Sequence, residues 1–204
     1  MNIALVEYGA GNLPSVERAL SRLGVESHRA GTPEALAGCD ALILPGVGHF
    51  GALMRSLGER SLVKPLRDAV SSGKPLLGIC LGLQAMFSAS EEAPGDAGLA
   101  LFPQTVSALP PVDRLPHMGW NQLRRARPGK LLEGVPEDSY FYFAHSFAAL
   151  DAGDAAVAYC DHCVPFVAAL ERGNVFATQF HPEKSGPVGA KILSNFVRIA
   201  GEKR

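Results

Sequence analysis

A cysteine framed by two glycines is the sharpest chemical feature of the sequence. GICLG at 78–82 has the G-x-nucleophile-x-G spacing of a nucleophile elbow, in which a strained turn between a strand and a helix exposes the central side chain. A helix beginning just after Cys80 would favour its thiolate and offer the Leu81 amide to a developing oxyanion. A free thiol with a pKa of about 8.5 is mostly protonated at neutral pH, so it needs a base. The alternative is a small buried thiol at a strand end.

QFHPE at 179–183 suggests that base. Proline biases His181 toward extended geometry, and residues i and i+2 of an extended chain project from one face. Glu183 would then bond one ring nitrogen of His181 and turn the other toward the thiol, as in hydrolases with a Cys-His-acid triad. The alternative is a surface turn with a solvated histidine and glutamate. Cys80 and His181 together predict nucleophilic catalysis, because each supplies what the other lacks.

The elements that must position these residues alternate through the first 90 residues. The pattern predicts strands at 3–8, 25–29, 41–44 and 76–79, and helices at 15–23, at 50–71 with a break near Pro65, and at 81–88, with Thr32 and Pro33 starting another helix. This order predicts an α/β fold with right-handed crossovers, a parallel sheet and helices on both faces. Cys80 then lies at the carboxyl edge of the sheet, where open α/β folds bind ligands.

The second half of the chain has a different pattern. Strand-like segments occur at 106–109, 121–123, 140–147, 155–159, 164–170 and 175–179, and a helix is predicted at 187–199. Proline and glycine turns separate these segments. They predict an antiparallel or mixed extension of an open, mostly parallel central sheet. Since no internal repeat or linker interrupts the chain, we expect a single domain over 1–204.

Composition excludes several classes of protein. With 19 Lys and Arg against 20 Asp and Glu, the formal charge of −1 argues against a nucleic-acid binder. The longest uncharged stretches, 75–90 and 97–112, are shorter than the roughly 20 apolar residues that span a bilayer. The N-terminus is typical of a first strand, not of a signal peptide. Four cysteines in a chain this long do not indicate a disulfide framework, so we expect a reduced, soluble, cytoplasmic protein with no membrane partner.

Six motifs together resemble a known family. GICLGLQ, QFHPEKSG and PGVGHFG are similar to those of the class I (triad) glutamine amidotransferases. YGAGN, HMGWN and YFAHSF narrow the resemblance to the glutaminase subunits of imidazole glycerol phosphate synthases, enzymes of histidine biosynthesis. These motifs extend from residue 8 to residue 186, so the resemblance covers nearly the whole chain.

The resemblance implies roles for individual residues. Cys80 attacks the side-chain amide of L-glutamine, His181 is the general acid and base, and Glu183 orients it. Ammonia leaves, and water hydrolyses a glutamyl thioester. The second oxyanion donor is a backbone amide of either Val47 or Gly48. Oxyanion or substrate contacts are implied for Val47, Gly48, Leu81, Gln84, His145 and Ser146. For Gln84, the alternative is an exposed helix residue. No cofactor and no metal are implied.

The resemblance also implies a partner, because ammonia released into neutral water is mostly protonated and no longer nucleophilic. In the family, a (β/α)8-barrel cyclase subunit docks over the glutaminase and carries ammonia to the precursor PRFAR, yielding imidazole glycerol phosphate and AICAR. A barrel of roughly 250 residues does not fit in this chain, so a heterodimer is expected. Positions that face the cyclase correspond to Asn12, Trp120, Tyr142 and Lys184. Trp120 suits an interface anchor, and a buried core tryptophan is the alternative.

Three other patterns suggest different chemistry. Residues 46–51 satisfy the G-x-G-x-x-G dinucleotide fingerprint, but the next predicted strand ends in Cys80 where that fingerprint needs an acidic residue. Cys160-Asp161-His162-Cys163 suggests zinc or redox chemistry but lacks a second half-site, so we predict a turn at 161–162. The basic cluster at 124–130 is typical of a solvated loop, with a phosphate or partner contact as the alternative.

Several functions would share the same three catalytic residues. The glutaminase subunits of anthranilate synthase and pyridoxal phosphate synthase are two, although YGAGN and HMGWN argue against both. A stand-alone cysteine hydrolase of the same fold would work at full rate without a partner. A non-catalytic binding protein would have an inert thiol.

Overall fold

The computed structural model describes residues 1–111 and 114–202, and in these residues it contains thirteen strands and six α-helices. The strands are β1 (Ile3–Val6), β2 (Ser27–Ala30), β3 (Ala41–Gly46), β4 (Leu76–Cys80), β5 (Phe87–Ser90), β6 (Phe102–Ala108), β7 (His117–Gln122), β8 (Arg124–Arg125), β9 (Tyr140–His145), β10 (Phe147–Ala149), β11 (Ala156–His162), β12 (Val164–Arg172) and β13 (Val175–Thr178). The helices are α1 (Leu13–Arg22), α2 (Pro33–Ala37), α3 (Phe50–Glu59), α4 (Val63–Ser71), α5 (Leu81–Gln84) and α6 (Gly186–Gly201).

The central sheet has eight strands in the order β2-β1-β3-β4-β13-β12-β11-β8. The first five are mutually parallel, and the last three continue the sheet in antiparallel fashion. The predicted fold class, a mostly parallel α/β sheet with an antiparallel extension, is therefore confirmed. Because β13 lies beside β4, with Thr178 opposite Ile79, the carboxyl ends of these two strands are neighbours.

Helices cover both faces of the sheet, as the buried strands require. Along β1, Ile3 and Leu5 face the apolar side chains of α1 and α6, whereas Ala4 and Val6 face those of α3 and α4. Successive side chains of a strand point to opposite faces, so one short apolar run contributes to two cores. None of the described helices combines the length and apolarity needed to cross a bilayer.

The long helix predicted at 50–71 divides earlier than expected. α3 ends at Glu59, Ser61 has a φ of 56°, and α4 begins at Val63. Pro65 is therefore not the break: it lies in the first turn of α4, where a missing N–H breaks no intrahelical hydrogen bond. The predicted start of α2 is confirmed, since the Thr32 side chain accepts a hydrogen bond from the Ala35 amide at 3.3 Å.

The helix predicted at 81–88 is also wrong in its second half. α5 is a single turn, and Phe87–Ser90 form β5, which pairs with β6 in a separate three-stranded sheet, β10-β6-β5. Phe87 packs on Phe102 at a ring-centroid distance of 5.3 Å. This tertiary pairing overrides the local helical pattern. A one-turn helix also has a smaller dipole than the longer helix predicted at 81–88 would have had.

Two further expectations need correction. The predicted extension does not take in every strand of the second half, because β7 and β9 form their own two-stranded sheet. The turn expected at 161–162 lies at Cys163, whose φ is 60°, since β11 continues to His162 before the chain reverses into β12.

Candidate active site

Cys80 lies in a strained turn between β4 and α5. Its φ of 55° and ψ of −109° are unusual for a residue with a side chain, and only 5% of its surface is exposed. A Cβ on Gly82 would lie 1.9 Å from the Leu44 carbonyl oxygen, and one on Gly78 would lie 2.7 Å from the Gly82 carbonyl oxygen. The two glycines therefore permit the close approach of β3, β4 and α5 that creates the elbow.

His181 follows β13 and is held by the backbone of β9. Its amide donates to the Tyr142 carbonyl at 2.9 Å. The Ser185 hydroxyl donates to the His181 carbonyl at 2.7 Å and accepts from the Tyr142 amide at 3.0 Å. The His181 side chain is buried, it lines the same pocket as Cys80, and its ring interacts electrostatically with the thiol.

Glu183 completes the group by a different route from the one expected. Its Oε1 lies 2.9 Å from Nδ1 of His181, and both side chains are buried. His181 is extended, with φ of −98° and ψ of 97°, but Pro182–Lys184 form a 3-10 turn. The carboxylate therefore reaches the ring because the chain turns back, not because residues alternate along a strand.

The electrostatics of this group favour a charged imidazole. Burial lowers the pKa of His181, but hydrogen bonds to Cys80 and Glu183, together with the negative charges of those groups, outweigh burial and raise the pKa to about 9. A protonated imidazole beside a thiol stabilises the thiolate, which is the nucleophilic form.

We expect His181 to titrate near pH 9 in a proton–nitrogen NMR titration of the intact protein. Glu183→Gln removes an acceptor and a negative charge, so the midpoint should move down toward the ordinary value of about 6.5. Because the folded-state pKa is raised, protonated His181 stabilises the fold below about pH 6.5, and this contribution is lost as pH rises toward 9. A wild-type midpoint at the ordinary value would contradict the assignment.

A pocket of about 180 Å³ opens beside the thiol. This is smaller than the roughly 300–1,000 Å³ of drug-sized ligand sites, as suits one small amino acid. It brings together all the predicted substrate and oxyanion residues, namely Val47, Gly48, Leu81, Gln84, His145 and Ser146, with Cys80 and His181. Lys184 and Glu92 also line it.

Gln84 and Gln179 connect the pocket to the thiol. Gln84 is 3% exposed, so the alternative of an exposed helix residue is wrong. Its Nε2 donates to the Phe147 carbonyl at 2.7 Å and to Oε1 of Gln179 at 3.1 Å. Nε2 of Gln179 lies 3.6 Å from the Cys80 sulfur. Sequence reasoning missed Gln179, although its place at the head of the QFHPE motif was a signal.

An exposed apolar surface lies next to the pocket. The Trp120 surface consists of Met118, Trp120, Tyr142 and Lys184: Trp120 is 56% exposed, its ring lies 6.0 Å from that of Tyr142, and Nζ of Lys184 lies 5.5 Å from the Tyr142 ring. The alternative of a buried core tryptophan is therefore wrong. Asn12 lies on the loop from β1 into α1, at the same carboxyl edge of the central sheet.

The start of α3, where the G-x-G-x-x-G pattern would bind a dinucleotide, already has its amides hydrogen-bonded. The amide of Phe50, at the start of α3, donates to the Glu92 carboxylate at 2.7 Å. The next amide, that of Gly51, donates to the His49 ring at 3.1 Å. The amides that would bind a pyrophosphate are thus occupied by side chains of the same protein.

The Cys160-Asp161-His162-Cys163 segment and the basic cluster at 124–130 take part in contacts within the protein. Burial raises the pKa of Cys160 to about 12, with the negative charge of Asp161 adding to the effect. Among the described residues, no three His, Cys, Asp or Glu side chains are placed to hold a metal ion. In the basic cluster, Arg124 pairs with Asp161 at 3.6 Å, and Arg127 donates to backbone carbonyls including that of Glu171 at 2.7 Å.

The sequence and the fold have clear relatives. The chain matches the family described as glutamine amidotransferase class-I over residues 4–200. It is 48% identical over 197 residues to the imidazole glycerol phosphate synthase subunit HisH of Methanothermobacter thermautotrophicus, which covers 97% of this chain and 98% of that one. The HisH subunit of Thermococcus kodakarensis is 46% identical, covering 97% and 100%. A crystal structure of a glutamine amidotransferase has the same fold, with a TM-score of 0.78, 23% identity and coverage of 97% and 98%.

Proposed function

The chain belongs to the class I glutamine amidotransferase family, and from this membership we propose that it is the glutaminase subunit of imidazole glycerol phosphate synthase in histidine biosynthesis. It hydrolyses L-glutamine to glutamate and ammonia. The observation that carries the proposal is the meeting of Cys80, His181 and Glu183 at the adjacent ends of β4 and β13, beside a pocket of amino-acid size. One amidotransferase domain extends over 1–204. Its four free cysteines suit a location in the cytoplasm.

Each proposed catalytic residue has one task in the reaction. The Cys80 sulfur attacks the amide carbon of glutamine, and His181 gives a proton to the departing nitrogen, so ammonia leaves and a thioester remains. Water then gives a proton to His181 and attacks the thioester carbon, which releases glutamate and restores the thiolate. Glu183 holds the ring by Nδ1 throughout.

Backbone amides supply the charge stabilisation in this proposal. The Leu81 amide follows the proposed nucleophile directly, and Val47 and Gly48, one of which is assigned the second amide, line the same pocket. Two such donors would stabilise the negative oxygen of both tetrahedral intermediates. Gln84, His145 and Ser146 are assigned to contacts with bound glutamine.

The ammonia acceptor lies in a second subunit, which we propose to be a (β/α)8-barrel cyclase forming a heterodimer with this chain. Ammonia would pass through the barrel to PRFAR, giving imidazole glycerol phosphate and AICAR. The Trp120 surface supports this placement, because it is apolar, exposed and next to the pocket mouth at Lys184. Asn12 is assigned to the same interface.

Two alternatives remain distinct from this proposal. Anthranilate synthase and pyridoxal phosphate synthase also have glutaminase subunits, but 48% identity to a HisH subunit favours imidazole glycerol phosphate synthase. A stand-alone cysteine hydrolase would use the same residues without a partner. Both alternatives predict a turnover that does not respond to this cyclase, but only the stand-alone hydrolase predicts full turnover without any partner.

Glutamate release should rise when the cyclase and its nucleotide ligand are added to this protein. Trp120→Ala should weaken the complex by about 30- to 150-fold, because an exposed aromatic anchor contributes roughly 2–3 kcal/mol at an interface. Calorimetry measures the affinity, and a coupled glutamate assay measures turnover. Leu150→Ala, which truncates a 41% exposed leucine outside the Trp120 surface, is the matched control. Unchanged turnover on mixing would contradict the proposed partner, and full turnover without any partner would favour the stand-alone hydrolase.

A further inference from the structure

A line of hydrogen bonds runs from β7 into the glutamine pocket. Nδ2 of Asn121 lies 3.4 Å from Nε2 of His117, and Nδ1 of His117 lies 3.1 Å from Nε2 of His145. Nδ1 of His145 lies 3.0 Å from the Phe147 carbonyl oxygen. His117 and His145 are 5% and 6% exposed, and only His145 lines the pocket.

Backbone groups at the two ends of this line determine where each proton lies. The Phe147 carbonyl only accepts, so Nδ1 of His145 carries hydrogen, and its Nε2 accepts from Nδ1 of His117. At the other end, Oδ1 of Asn121 accepts from the Gln122 amide at 2.8 Å, which leaves Nδ2 to donate to Nε2 of His117. Both ends therefore require the same tautomer of both rings, with hydrogen on Nδ1.

Both rings have to be neutral for this arrangement. Burial is the main cause that lowers the pKa of His145 to about 3; the neighbouring His117, His162 and His181 rings act in the same direction, and the hydrogen bond to the Phe147 carbonyl opposes them. The His117 ring stacks on those of Phe143 and His162, with centroids 4.8 Å and 4.1 Å away. A neutral pair in fixed tautomers acts as a rigid spacer between β7 and the pocket.

The Phe147 carbonyl is where this line meets the nucleophile. It accepts from His145 and also from Gln84, whose amide continues through Gln179 to the Cys80 sulfur. Two donors from different elements use both lone pairs of one oxygen and so fix the peptide that borders the pocket. The orientation of the Gln84 amide depends on that oxygen.

We infer that His117 is a positioning residue for glutamine hydrolysis, acting through His145 and the Phe147 carbonyl to orient Gln84 in the pocket. This inference rests on the proposed glutaminase function. On β7, His117 points inward and Trp120 lies on the opposite, exposed face. The same strand therefore carries the Trp120 surface outside and this hydrogen-bond line inside. Without the His117 donor, His145 can take the other tautomer and release the carbonyl.

Two substitutions at His117 separate hydrogen bonding from packing. His117→Phe keeps a ring to stack on Phe143 and removes the donor, whereas His117→Asn loses the ring and retains an amide hydrogen near the Nδ1 position. We expect kcat/KM for glutamine to fall about 10- to 100-fold in His117→Phe, mainly through KM, and to stay within about threefold of wild type in His117→Asn. The opposite order, equal losses, or no loss in either variant would overturn the inference.

A measurement on the wild-type protein gives an independent test. Nitrogen-15 NMR should show hydrogen on Nδ1, not Nε2, of both His117 and His145, and hydrogen on Nε2 of His145 would refute the inference even if His117→Phe does not fold. Failure of the proposed function would give a different result, because the wild-type protein itself would then release no glutamate. Active wild type with unaffected His117→Phe means that only the positioning role is wrong.

Discussion

Cys80→Ala should lower glutamine-dependent synthesis by about four orders of magnitude or more, the scale on which removing a nucleophile acts. The cyclase should still make product when ammonium salt is supplied, because only the generation of ammonia has been lost. The comparison therefore assigns the defect to one half-reaction. Both activities are measured with the assembled complex, one with glutamine and one with ammonia.

Cys163→Ala is the matched control for this experiment, since Cys163 lies in the turn between β11 and β12 and does not line the pocket. A glutamine-like diazoketone should add once to wild-type protein, on the Cys80 peptide, and not at all to Cys80→Ala. The buried Cys160 thiol, with its raised pKa, should stay unmodified. Glutamine-dependent synthesis that survives Cys80→Ala would refute the nucleophile assignment.

Gly82→Ala should destabilise the protein by about 3 kcal/mol or more, toward the upper end of the range for overpacked sites. The added methyl carbon would lie 1.9 Å from the Leu44 carbonyl oxygen, and that atom belongs to the backbone of a central strand. Either β3, which leads into Val47 and Gly48 at the pocket, or α5, which lines the pocket, must move. We therefore expect the loss of glutaminase activity to accompany the loss of stability, measured by urea unfolding.

Gly58→Ala tests whether any added methyl group has this effect. Gly58 lies in α3, its backbone is helical, and a Cβ there meets nothing within 4 Å. Alanine in such a position should be neutral or stabilise the helix by up to about 1 kcal/mol. Equal unfolding midpoints for Gly82→Ala and wild type would show that α5 can shift without loss.

Local chain geometry explains why the strained turn at Cys80 was predictable. The close approach of β3, β4 and α5 around Cys80 leaves no room for a Cβ at 78 or 82, so the elbow has a recognisable glycine spacing in sequence. The His181–Glu183 pair was predictable for a similar reason, since the two residues are close in the chain. Its geometry was not, because the 3-10 turn at Pro182–Lys184 depends on how the segment packs.

Contacts between distant segments of the chain are harder to predict from sequence than these local motifs. Gln179 and Cys80 are 99 positions apart, and His117 and His145 are 28 apart on a two-stranded sheet that was expected to join the main one. The second half of the helix predicted at 81–88 was wrong for the same reason, because Phe87–Ser90 form β5, which pairs with β6. Propensity describes a residue and its near neighbours, whereas such pairings depend on the whole fold.

The amino-acid sequence alone therefore determined the α/β class and the family to which the chain belongs, and it led to the proposal of Cys80 as nucleophile with His181 as its base. Only the tertiary structure decided that β13 lies beside β4, which brings His181 to Cys80, and that Trp120 is exposed while His117 points inward from the same strand. The physical reason is that strand order and side-chain burial come from packing two apolar faces at once. No local spacing encodes which distant segment fills each face.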